Sequence, residues 1–95
     1  MSNKAFFTYK SLLSPEQRFN LTGNACRLYS DIWNQMHKVG RQLITVLNQV
    51  VSTRAKIPLE ALSKAQDELV SAGLLSIRRN PLGVHSTYAF SENSA

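Results

Sequence analysis

The 95-residue chain predicts an α+β fold: a three-helix core followed by a C-terminal β-hairpin, with an extra short helix near the N-terminus. Two observations carry this reading. Apolar residues recur at helical spacing from Ala25 to Met36 and again from Ile57 to Leu69. After Gly73 the period changes to two, and a loop containing Pro and Gly separates two runs of strand formers.

Residues 1–4 read as a terminal tail, and Ala5-Phe6-Phe7-Thr8-Tyr9 is an aromatic run too short to separate a strand from an extended clamp. Ser14 is placed to cap a helix that starts at Pro15, with Gln17 completing a capping box, and this short helix ends near Asn20. The next helix is the most regular. Thr22 is its expected N-cap, Ala25, Leu28, Tyr29, Ile32, Trp33 and Met36 form its core stripe, and Gly40 ends it. Arg27, Ser30, Asp31, Asn34, Gln35 and Lys38 make up its solvated face.

Leu43-Ile44-Thr45 fits a short strand that pairs with the hairpin, with Thr45 then capping a helix over 46–53; a single helix over 41–54 is the alternative. Val46, Val50 and Val51 lower helix propensity yet suit a buried helix face, so both readings stay open. Residues 52–56 form the turn. Pro58 then occupies the first turn of a helix whose Ile57, Leu62, Ala65 and Leu69 face inward and whose Glu60, Ser63, Lys64, Asp67 and Ser71 face outward. Gly73 stops this helix, with Leu74 set for the apolar contact that accompanies such a cap. Leu75, Ile77 and Arg79 then alternate with Ser76 and Arg78. The loop Asn80-Pro81-Leu82-Gly83 leads into a second strand running to Phe90, and its length makes the tip project.

Composition narrows the class. With 43% apolar and 8% aromatic residues the chain is globular, and 95 residues make one domain spanning 1–95, with 1–4 and 91–95 as flexible tails. No run is long enough to span a bilayer, no secretory signal is visible, and the lone Cys26 suits a reducing compartment, so the expected location is cytoplasmic with no membrane partner. The formal charge of +5 points to an acidic partner. Between Asp31 and Glu60 there is no acid, while Lys38, Arg41, Arg54 and Lys56 fall in that interval, and Arg78 and Arg79 add a second basic cluster.

Catalysis finds little support. His37, His85 and Cys26 lack metal-ligand spacing, and no glycine-rich phosphate loop occurs. Asp67 and Glu68 are adjacent on a helix and point in different directions, which is poor geometry for an acid/base pair. The chain reads as a non-enzyme with no catalytic residue, no metal, no cofactor and no small-molecule substrate.

Residues 65–90, AQDELVSAGLLSIRRNPLGVHSTYAF, resemble the recognition helix and wing of winged helix-turn-helix DNA-binding proteins. Together with residues 6–37, FFTYKSLLSPEQRFNLTGNACRLYSDIWNQMH, they look most like the winged-helix domains of phage and plasmid replication initiators. The resemblance implies double-stranded DNA as partner and a role as the origin-binding domain of a larger initiator or as a small transcriptional regulator. A homodimer that sets two wings on one duplex face is compatible with it.

Carried onto this chain, the resemblance gives Lys56, Arg78 and Arg79 to phosphates, with Arg54 as a further phosphate anchor and His85 joining from the wing strand. Ser63 and Lys64 are the expected readers of base edges. The chain departs from the family pattern in the first turn of the recognition helix, where Pro58, Leu59, Glu60 and Ala61 stand in place of polar or basic residues. Glu60 can accept from a cytosine amino group and Leu59 can touch a thymine methyl. The same departure supports the alternative, a winged-helix protein-interaction module that uses Leu59, Leu62 or the aromatic N-terminus.

Overall fold

α1 (Gly23–Val39) starts where the Thr22 hydroxyl accepts the Ala25 N–H at 3.3 Å and ends at Gly40, whose left-handed φ of 70° sends its N–H back to the last turn. Both ends follow from local chemistry, a short hydroxyl before the helix and a residue without Cβ after it. The computed structural model describes residues 21–90. The expected Ser14 cap and helix over 15–20, the aromatic run 5–9 and the tails 1–4 and 91–95 lie outside the described residues.

Next comes β1 (Leu43–Leu47), which runs directly into α2 (Asn48–Ala55). The strand is two residues longer than expected and the helix starts later, so Thr45 is no cap. It sits mid-strand, its hydroxyl 2.8 Å from that of Thr87, and α2 has no side-chain N-cap at Leu47. Val46 and Leu47 stay in the ladder opposite Ser86 and His85, which suits the preference of β-branched Val46 for a pleated surface. The turn also moves. α2 continues to Ala55, and only Lys56, Ile57 and Pro58 separate it from α3 (Leu59–Ser71).

α3 buries Leu62, Ala65 and Leu69, as its stripe requires, and closes in a Schellman arrangement. Leu74 N–H reaches the Leu69 carbonyl at 3.0 Å and Gly73 N–H that of Val70 at 3.0 Å, with Gly73 at φ 75° and Leu74 buried. β2 (Leu75–Arg79) and β3 (His85–Phe90) form the expected hairpin, and the antiparallel sheet has the order β1-β3-β2. The chain is therefore α+β, with three helices and a three-stranded antiparallel sheet among the described residues.

The sheet alternates as a half-buried sheet must. Leu75, Ser86, Tyr88 and Phe90 point to the helices, while Ser76, Arg78, Thr87, Thr45, Leu43 and Leu47 belong to the outer face. Leu28, Ile32 and Met36 of α1 meet Val51, Ile57, Leu62, Leu69 and the inner sheet face in one core. The Tyr29 and Phe90 rings meet edge to face at 6.2 Å, and burial pushes the Tyr29 hydroxyl up to about 12.

Candidate nucleic-acid interface

The turn between α2 and α3 is held from within. Lys56 takes a left-handed φ of 58°, Ile57 N–H bonds the Ser52 carbonyl at 3.0 Å, the Ser52 hydroxyl donates to the Ile57 carbonyl, and the Ile57 side chain is buried in the core. With so little slack, α3 leaves α2 in a defined direction. Its outward face carries Glu60, Ser63, Lys64, Asp67 and Ser71, all exposed.

Glu68 has a different task from the one its neighbour Asp67 suggests. Its two carboxylate oxygens accept the Thr22 N–H at 3.0 Å and the Thr22 hydroxyl at 2.8 Å, so α3 secures the start of α1.

The hairpin is fastened to α3 through a buried polar chain that sequence reasoning missed. Gln66, only 2% exposed, donates from Nε2 to the Tyr88 hydroxyl at 2.9 Å and to Ser86 Oγ at 3.1 Å. Its Oε1 accepts from Arg79 Nε at 2.8 Å, and Arg79 Nη2 also donates to the Ser63 carbonyl at 3.1 Å and to Asp67 Oδ1. Ser86 Oγ donates in turn to Asn48 Oδ1 at 2.6 Å. Burial raises the Tyr88 hydroxyl above its ordinary range, and its bonds to Gln66 and Ser86 partly oppose that shift. Among the described residues no buried side-chain polar atom lacks a partner. The only sequence signal for the chain was a polar residue, Gln66, beside the apolar stripe.

Asn48 completes the fastening at the hairpin tip. Its Nδ2 donates to the Gly83 carbonyl at 3.0 Å and its N–H to that of Val84 at 2.8 Å. The tip itself is a tight turn: Gly83 N–H bonds the Asn80 carbonyl at 2.8 Å, Leu82 N–H bonds Asn80 Oδ1 at 2.8 Å, and Gly83 takes the φ of 75° that the turn needs. It projects as expected, with Leu82 85% exposed.

The structure divides the expected phosphate contacts. Arg79 is drawn into the polar chain, on the helix side of the sheet. Arg78 is exposed on the other face, so the adjacent arginines lie on opposite sides of the sheet. Arg54 makes a two-pronged ion pair with Asp31, at 3.0 Å from Nε and 2.9 Å from Nη2, which ties α2 to α1 and occupies its fork. His85 is half-buried at the end of β3, opposite Leu47. Lys56, Lys64 and Arg78 are exposed and make no ion pair among the described residues. Glu60 and Ser63 share the outward face of α3 with Lys64.

Between α3 and the hairpin lies an open groove of about 420 Å³. Gln66 and Leu62 lie at its base, Asn48 and Arg79 line it, and Leu59, Leu47 and Val84 form exposed apolar lips. Among the described residues no helix is long and apolar enough to cross a membrane, and no cluster of His, Cys, Asp or Glu is arranged to hold a metal. The chain matches no protein-family model, no curated protein and no solved structure, so its functional reading rests on these residues and their geometry.

Proposed function

We propose that the chain is a winged helix-turn-helix domain that binds duplex DNA, serving as the origin-binding part of a replication initiator or as a small transcriptional regulator. The observation that carries this reading is the joint presentation of α3 and the hairpin. A three-residue turn delivers α3, its polar face is open, and Arg79, Gln66, Ser86 and Asn48 hold the hairpin beside it. In this reading α3 is the recognition helix and the β2–β3 hairpin is the wing. The helix enters the major groove with Ser63, Lys64 and Glu60 toward base edges, and Lys56 and Arg78 neutralise phosphates. Arg54 and Arg79 serve as braces that keep these groups in place.

The experiment is fluorescence anisotropy of a labelled random duplex, titrated with the protein between about 50 and 200 mM salt. Affinity that falls linearly on a log–log plot supports the reading. No binding at the lowest salt sinks it.

A second reading, a winged-helix protein-interaction module, is favoured by the apolar lips of the groove, where Leu59 is 53%, Val84 45% and Leu47 41% exposed. Complexes formed through that groove would be largely indifferent to salt over the same range.

A further inference from the structure

Among the described residues the outer edge of β1 is unpaired and lacks the usual protections. Asn48 N–H bonds the Val84 carbonyl, one step beyond the Leu47–His85 pair, so the alternation of an antiparallel ladder makes Val46–Ser86 and Ile44–Tyr88 the hydrogen-bonded pairs. Leu43, Thr45 and Leu47 must then turn their N–H and C=O groups away from β3. No strand pairs with that side among the described residues. The side chains of the same three residues are exposed, Leu43 at 56% and Leu47 at 41%.

Natural edge strands are commonly blunted by charge, proline or a bulge. β1 has none of these: Leu-Ile-Thr-Val-Leu is regular, and residues 42–53 contain no charged side chain. β2, at the opposite edge of the sheet, ends instead in Arg78-Arg79. The β1 sequence also reads alike in both directions about Thr45, with a β-branched residue on each side and a leucine beyond each. Across a two-fold, residue i of one strand meets residue j of its copy and j meets i, so this pattern sets leucine against leucine.

We propose that β1 pairs antiparallel with β1 of a second copy of this chain, around a two-fold axis through Thr45. Thr45 then faces Thr45 of the second copy, and each Leu43 faces Leu47 of the other chain. All three are hydrogen-bonded pairs that use the outward groups, and the exposed leucines cover one another. The pairing joins two three-stranded sheets into one, with β1 at the seam and β2 at each far edge.

The test is sedimentation equilibrium of the full chain over a concentration series, without DNA, so its outcome is independent of the DNA-binding reading. The wild type is expected to approach twice 10.6 kDa. Leu43→Lys/Leu47→Lys, which sets like charges opposite each other, should give a monomer. Leu43→Lys/Leu47→Glu, which sets opposite charges across the axis but far apart within one strand, should restore the dimer. In a Cys26→Ser background, Thr45→Cys should cross-link to its copy under mild oxidation, a readout that holds even if the lysine variant fails to fold. A wild type that stays monomeric up to about 1 mM overturns the proposal. So does a dimer unaffected by folded Leu43→Lys/Leu47→Lys, a dimer not restored by the charge-swapped variant, or a Thr45→Cys chain that does not cross-link.

Discussion

Gln66 and Arg79 are bonded at 2.8 Å from Oε1 to Nε, and this contact joins the outward-facing helix to the hairpin. The amide satisfies three partners on the sheet while its own side chain is closed to solvent. Gln66→Leu keeps much of the volume but takes one bond each from Ser86, Tyr88 and Arg79, and a buried polar group left short of partners costs about 1–3 kcal/mol. Urea unfolding should show a loss in that range; an unchanged midpoint would mean the chain of bonds does not stabilise the fold.

Arg78 and Arg54 should separate in binding experiments. Each phosphate neutralised contributes about −0.9 to the slope of log affinity against log salt. Arg78→Ala should therefore flatten the slope by about one unit and leave the melt unchanged. Arg54→Ala should keep the slope and lower stability, because it leaves the Asp31 carboxylate, whose side chain is 12% exposed, without its partner. The reverse pattern in paired titrations and melts would exchange the roles of the two arginines.

Lys56 offers a way to part stability from binding. Its φ of 58° is strained for a residue with a Cβ, costing about 1–2 kcal/mol, and glycine removes that strain at an entropic cost of about 0.5–1 kcal/mol. Lys56→Gly should raise the melting temperature by a few degrees and still weaken DNA binding through the lost charge. A calorimetric scan and a salt titration on one sample check both halves.

Tyr29 sets an alkaline limit. Its hydroxyl is held at about 12 in the fold against 10 in the unfolded chain, so the folded state retains the proton longer. Its contribution is fully present below pH 10 and is lost as pH rises from 10 toward 12, at up to about 1.4 kcal/mol per pH unit in that window. Denaturation midpoints measured from pH 9 to 11.5 should decline for the wild type and decline less for Tyr29→Phe.

The sequence by itself determined the features whose causes lie within a few residues. Thr22 and Gly40 bound α1, the 57/62/65/69 stripe orients α3, Gly73 stops it, and Asn80-Pro81-Leu82-Gly83 turns the hairpin, because caps, periodicity and turn chemistry act locally. Tertiary structure decided the rest. Thr45 belongs to the sheet rather than to a helix cap because Thr87, 42 residues away, pairs with it. Arg54 and Arg79 look like equivalent surface cations in one dimension, yet Asp31 and the Gln66–Asp67 pair claim them in three. Lys56, Lys64 and Arg78 make no ion pair among the described residues. Which charges the fold spends on itself depends on partners brought close only by folding, and local pattern carries no record of that distance.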